Sequence, residues 1–183
     1  NWVTDHAAEL GIEQTKIGMG GDSAGGNLTA VLSMQTFADL LEGDLSVAPA
    51  FQFLLYPWVD MSGESDSIQR FGKGLILTQE TMTFFRDAYL PKALEPQAIK
   101  TSPTLCEDMS STPDTLIVTA EYDVLRDEGL AFVEKLQHAQ VSVSHLHLPD
   151  CTHGFISTGR FSTATRKRLN EVAAMLKKYA ATI

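Results

Sequence analysis

The 183 residues contain only two cysteines, Cys106 and Cys151. Two are too few for a disulfide framework, and the simpler reading is a pair of free thiols in a reducing compartment, which makes the cytoplasm the expected location. No apolar run approaches the roughly 20 residues that a membrane-spanning helix needs. Basic residues are scarce as well: 14 Lys and Arg stand against 23 Asp and Glu, a formal charge of −9. Phosphate backbones reward basic surfaces, so nucleic acid is not an expected partner. Internal repeats and low-complexity segments are absent from the sequence. With 44% hydrophobic and 20% charged residues, the chain has the composition of a globular body that can bury a core.

The most informative stretch is Gly21-Asp22-Ser23-Ala24-Gly25-Gly26-Asn27. It follows a short apolar run at 16–20 that reads as a strand, and it opens an apolar segment at 28–41 that reads as a helix. A serine between glycines at a strand-to-helix turn has the layout of a nucleophile elbow. In such a turn the serine is strained, and residues without bulk are needed two positions before and after it, here Gly21 and Gly25. The turn would lift the Ser23 hydroxyl clear of the sheet and aim the Ala24 N–H, at the start of a helix, toward a developing oxyanion. The plain alternative is a glycine-rich turn that only joins two elements; the strand and helix around it favour the elbow.

A serine hydroxyl becomes nucleophilic at neutral pH with a base and an acid behind it, and on this kind of scaffold they follow in the order acid, then histidine. The β-branched run at 115–120 reads as a buried parallel strand. Asp123 lies just past it, at the edge where open α/β sheets place their chemistry. Glu121, Asp127 and Glu128 compete for the same role. Asp127 and Glu128 fall in the first turn of the next helix, where acids complement the helix dipole, and Glu121 ends the strand itself, so Asp123 is preferred. Of the five histidines, His145 and His147 alternate along a strand at 141–148, His138 lies near a helix end, and His6 sits in the first helical segment. His153 alone occupies a loop after a strand, beside Gly154, which would let the ring approach the serine.

Along the chain the expected order is helix, strand, helix, strand, long loop, helix, strand, helix, strand, loop, helix. The second strand is expected at 50–56, stopped by Pro57. Strands alternating with helices imply parallel pairing and one doubly covered sheet, so residues 1–183 are read as a single domain. The Ser-, Gly- and Asp-rich stretch from Asp60 to Gly74 has no periodicity and reads as a surface loop. A helix at 78–90 carries Met82, Phe84, Phe85 and Tyr89. The last helix, at 162–180, places Leu169, Val172, Leu176 and Tyr179 at the spacing of a stripe that docks on a sheet, with its basic residues forming a solvated face.

Five blocks in order carry a resemblance: Gly21-Asp22-Ser23-Ala24-Gly25-Gly26-Asn27-Leu28, Leu54-Leu55-Tyr56-Pro57-Trp58-Val59-Asp60, Leu77-Thr78-Gln79-Glu80-Thr81-Met82, Ala120-Glu121-Tyr122-Asp123-Val124-Leu125-Arg126-Asp127-Glu128-Gly129, and His153-Gly154-Phe155. Together they resemble the hormone-sensitive lipase family of esterases, the bacterial type of the α/β-hydrolase fold, over nearly the whole chain. Val124 stands where that family usually has proline, and Asp150-Cys151-Thr152 precedes the histidine where glycine is commoner at the first position. A larger departure is the lack of any His-Gly-Gly-Gly oxyanion motif. The resemblance therefore implies the C-terminal portion of an α/β-hydrolase fold, a mostly parallel sheet with helices on both faces. It also implies an N-terminal remainder of the same protein as a partner. In that fold the elbow strand lies mid-sheet, so the strand at 16–20 is expected to expose an edge that pairs with another polypeptide or, as a homodimer, with a second copy.

By the same resemblance, residues 60–90 help roof an acyl pocket. The implied chemistry is two-step acyl transfer on short- to medium-chain esters, with Ser23 as nucleophile, His153 as base and Asp123 as the orienting acid. It requires no cofactor or metal, and these 183 residues alone are expected to be nearly inactive. An amidase or peptidase of the same fold is the catalytic alternative. The others are a non-catalytic binding module and a structural fragment that needs its remainder.

Overall fold

The computed structural model describes residues 2–34, 49–63, 65–90, 98–158 and 162–182. Among them four strands form one sheet: β1 (Met19–Asp22), β2 (Phe51–Leu55), β3 (Asp114–Tyr122) and β4 (Val143–Thr152). They lie in the order β1-β2-β3-β4, each parallel to its neighbour. The helices are α1 (Trp2–Asp5), α2 (Ala7–Leu10), α3 (Ala24–Ser33), α4 (Asp66–Phe71), α5 (Gln79–Tyr89), α6 (Arg126–His138) and α7 (Thr163–Ala180). A parallel pair cannot be closed by a tight hairpin, and each strand-to-strand step here contains at least one helix, as that geometry demands.

Both faces of the sheet are covered because the central strands are apolar on both sides. On one face Ile117 and Leu54 pack with Ala30 and Met34 at α3 and with Phe132, Val133 and Leu136 of α6. On the other, Val118, Ala120 and Leu148 pack with Val172 of α7, flanked by Leu169 and Met175. β3 lies between two strands and under both layers, and residues Thr115 to Ala120 are all buried. A continuous apolar run rather than an alternating one is what such a strand requires. Tyr179 ends the α7 stripe against the Phe51 ring and donates its hydroxyl to Asp114. A third apolar cluster lies at the carboxyl ends of the strands, where Trp58, Met61, Ile68, Leu77, Met82, Val124 and Leu125 meet.

The structure departs from expectation in several places. The first helical segment is split into α1 and α2. Residues Gln14–Lys16 form a 3₁₀ turn, so β1 starts at Met19 rather than at residue 16. The stretch expected as plain loop between Asp60 and Gly74 contains α4, capped by Ser65, whose Oγ accepts from the Ile68 N–H. Its 6 residues are too few to display a helical period, and the cap is the available signal. Finally, β4 continues to Thr152 through an irregularity: Ala120 pairs with Leu148 but Tyr122 pairs with Thr152. Pro149 cannot donate to a ladder, and β4 has two more residues than β3 between these two pairs. The expected helix at 28–41 is α3 as far as Ser33, and its part from residue 35 onward lies outside the described residues. Among the described residues β1 pairs on one side only, with β2.

Phe132 is fully buried where α6 meets the sheet. Phe132→Ala is expected to destabilise the fold by about 3–5 kcal/mol, the cost of lost transfer energy plus the cavity left behind. Chemical denaturation of the variant against the parent protein checks this.

Candidate active site

Ser23 follows β1 directly and occupies a conformation that L-residues rarely adopt, φ 52° and ψ −116°. Such strain, of order 1–3 kcal/mol, persists only where the surroundings over-determine it. Here the Ser23 N–H is bound to the Leu55 carbonyl of β2, and the Ser23 carbonyl accepts from the N–H groups of Asn27 and Trp58. Backbone closeness completes the turn. A Cβ on Gly21 would collide with the carbonyl of Gly25, and one on Gly26 would lie 2.7 Å from Pro57 Cβ. Ala24 is the first residue of α3, so its N–H has no carbonyl one turn back to bind.

Behind the serine stand the other two groups. Asp123 leaves the end of β3 and is 1% exposed; His153 follows β4 and is 8% exposed. The imidazole Nδ1 lies 2.7 Å from Asp123 Oδ2, and Nε2 lies 2.9 Å from Ser23 Oγ. A carboxylate only accepts, which assigns the ring proton to Nδ1 and leaves Nε2 to accept from the serine hydroxyl. Asp123 Oδ1 accepts from the Leu125 N–H, which anchors the carboxylate from its other side. The Tyr56 ring packs on the imidazole with centroids 4.7 Å apart, and its hydroxyl donates to Asp22 at 3.4 Å. Burial pushes the Tyr56 phenol well above its usual range, with the Asp22 charge and hydrogen bond adding to the shift.

The competing acids are engaged elsewhere. Glu121 pairs with Arg126 and His147, Asp127 accepts from Arg126 and from the Ser67 N–H, and Glu128 accepts from the backbone of Val59 and Asp60. The other histidines are accounted for too: His145 and His147 both bond Thr119 Oγ1, and His6 and His138 bond the carbonyls of Trp2 and Glu134, one helical turn back. Over Ser23, Ala24 and His153 opens a cavity of about 560 Å³. Its apolar wall comes from Leu28, Trp58, Met61, Ile76, Met82 and Phe85.

A serine on a strained strand-to-helix turn, with histidine and aspartate from two later strand ends, invites comparison with known proteins. The family model described as the alpha/beta hydrolase fold matches residues 1–157. The chain belongs to the alpha/beta hydrolase fold family. Its sequence is 33% identical to the carboxylic ester hydrolase LipN of Mycobacterium tuberculosis, over 97% of this chain and 48% of that protein. It is 31% identical to an ethyl acetate hydrolase of Pseudomonas putida, over 97% and 55%. A mouse arylacetamide deacetylase is 26% identical over 94% and 57%. Among solved structures, the metagenomic carboxylesterase EstE1 superposes with a TM-score of 0.84 at 37% identity, covering 97% of this chain and 59% of that one. The resemblance to the hormone-sensitive lipase family of esterases holds. The chain spans about half the length of the curated relatives it matches.

Within this hydrolase fold, several details of the site differ from the sequence reading. The crowding expected at Gly21 and Gly25 falls on Gly21 and Gly26, because a Cβ on Gly25 would meet nothing within 4 Å. Gly154 likewise has open space; what it supplies is φ 69° for the turn after His153. Of the side chains expected over the pocket, Met82, Phe85 and Tyr89 line the cavity, whereas Phe84 is 67% exposed and is not part of its wall. Met61 also lines the cavity, within the 60–90 segment expected to roof the pocket, whereas Leu28 and Trp58 are wall residues that sequence reasoning misses. The available signal for Trp58 is that it follows Pro57, just past the end of β2 at Leu55, on the edge where Ser23 also lies. No helix among the described residues is long and apolar enough to cross a membrane.

The two elbow glycines should respond differently to a methyl group. Gly21→Ala forces backbone apart at the turn and is expected to yield little folded protein. Gly25→Ala occupies open space on a helix, where alanine is favoured over glycine by up to about 1 kcal/mol, and is expected to melt at or above the parent temperature. Thermal melts of the two variants measure the contrast.

Proposed function

We propose that the protein is a serine carboxylic ester hydrolase in which Ser23, His153 and Asp123 act as one unit. The observation that carries this reading is the continuous pair of hydrogen bonds, Ser23 to His153 and His153 to Asp123, at the mouth of an apolar cavity. His153 Nε2 takes the serine proton as Oγ attacks the ester carbonyl, and returns it to the departing alcohol. Water, activated by the same nitrogen, then attacks the acyl-enzyme, releases the acid and restores Ser23. Asp123 fixes the tautomer and stabilises the imidazolium formed in both halves. The Ala24 N–H stands as one oxyanion donor.

Short- to medium-chain esters suit a cavity of this size and lining, and relatives named carboxylic ester hydrolase and ethyl acetate hydrolase support an ester substrate. The arylacetamide deacetylase relative keeps an amidase as the second reading. A non-catalytic module is disfavoured by a histidine that is present and bonded on both nitrogens. The sequence holds no His-Gly-Gly-Gly segment, and losing a single oxyanion donor costs about 10²- to 10³-fold in turnover. On this reading the 183 residues by themselves hydrolyse esters poorly and act with an N-terminal remainder.

In the full-length protein, Ser23→Ala is expected to abolish covalent labelling by a fluorophosphonate, and Asp123→Asn to lower kcat by about 10⁴-fold, as removal of the orienting acid does in such triads. Persistent labelling of the alanine variant would move the nucleophile elsewhere. Turnover of an aryl ester against the matching anilide separates the esterase from the amidase.

A further inference from the structure

Residues 58–61 have neither helix nor strand pairing, yet two of their side chains, Trp58 and Met61, form cavity wall and are 6% and 3% exposed. What holds them is visible donor by donor. The Trp58 N–H goes to the carbonyl of Ser23, and the Met61 N–H goes to Ser102 Oγ at 2.8 Å. The two between, from Val59 and Asp60, converge on a single oxygen, Oε1 of Glu128, at 2.7 and 3.1 Å. The Trp58 carbonyl accepts from Asn27 Nδ2 at 2.6 Å, and the indole N–H returns to the Asp60 carbonyl at 2.9 Å. Glu128 is therefore the side chain through which α6 fixes the backbone between the two wall residues.

We propose that Glu128 is a positioning residue for the hydrolytic site, holding the Trp58–Met61 wall in place through Oε1. This rests on the serine hydrolase reading above. Glu128 lines neither the cavity nor the Ser23 turn; it acts through the main chain of Val59 and Asp60. Burial pushes its carboxyl well above the usual carboxylate range; the two backbone N–H groups pull it down, and the charges of Asp60 and Asp123 push it further up. The site thus asks for an acceptor oxygen and disfavours a charge. An amide supplies the oxygen without the charge. A methyl group supplies neither, and leaves two buried N–H groups without their acceptor.

The test compares Glu128→Gln and Glu128→Ala in the full-length protein, with kcat expressed per site titrated by a fluorophosphonate. Glu128→Gln is expected to keep KM for a butyrate aryl ester within about twofold. Glu128→Ala is expected to raise KM about tenfold, equivalent to about 1.4 kcal/mol, with kcat per titrated site within about threefold. A residue that only stabilised the fold would lower the number of titrated sites and leave KM alone. Hydrogen exchange gives a reading that does not depend on catalysis. The Val59 and Asp60 amides should stay protected in Glu128→Gln, and should lose protection in Glu128→Asp, whose oxygen is withdrawn by one methylene. An alanine variant with parental KM, or a glutamine variant with unprotected Val59 and Asp60 amides, would overturn the proposal. Failure of the parent protein to label at Ser23 would instead overturn the hydrolase reading, leaving the exchange result to judge Glu128.

Discussion

Everything at this site depends on how closely two pieces of backbone approach at the end of β1. Gly21 lies against the carbonyl of Gly25, and Gly26 against Pro57. Only with both contacts made can the chain reverse from strand to helix within one residue, and that residue is Ser23 at φ 52°. A wider turn would relax the serine into an ordinary conformation and carry its hydroxyl off the line to His153. The strain is contained by the sheet itself, since the Ser23 N–H bonds the neighbouring strand and its carbonyl receives the N–H groups of Asn27 and Trp58.

Parallel pairing then sets where the other groups fall. Because all four strands run in one direction, their carboxyl ends share one edge, and residues far apart in sequence meet there: Ser23 and His153 are separated by 130 positions. The irregularity in β4 matters to this meeting. The strand passes Leu148, loses register around Pro149 and pairs again at Thr152 opposite Tyr122, so His153 emerges level with Asp123 rather than two residues beyond it. Tyr56, itself at φ 35°, turns its ring onto the imidazole at the same edge. The site is assembled by strand ends and is braced by the few residues that follow them.

Much of this is legible in the sequence, for identifiable reasons. Ser23, Asp123 and His153 each follow an apolar run, and position at a strand end is a property of sequence order. The fold class is legible because buried parallel strands leave continuous apolar runs, as at Leu116 to Val118. Side-chain direction is not. Gly25 and Gly26 are adjacent and identical in type, and only the three-dimensional turn reveals that the second is crowded and the first is open. Asp127 and Glu128 have the same look of first-turn acids that complement a dipole, yet each reaches a different distant segment. The α4 helix is invisible to periodicity because its 6 residues make less than two turns, although Ser65 marks its start.

Those two acids show how the acid loop and the pocket become one unit. Asp123-Val124-Leu125 runs straight into α6, whose second residue, Asp127, takes the Ser67 N–H of α4, while Ser67 Oγ bonds the Val124 carbonyl beside Asp123. The third residue of α6, Glu128, takes the backbone of Val59 and Asp60. One helix start therefore grips the loop that carries the acid, the short helix whose Ile68 packs with Met82 of α5, and the segment that carries Trp58 and Met61. The Asp127 and Glu128 carboxylates accept from the N–H groups of Ser67, Val59 and Asp60, and a buried N–H left without its acceptor costs about 1–3 kcal/mol. The polar groups under the cavity are thus not free to rearrange singly. The wall segment is tied through Glu128 to α6, and α6 begins at Arg126, directly after the Asp123-Val124-Leu125 loop whose carboxylate bonds His153 Nδ1.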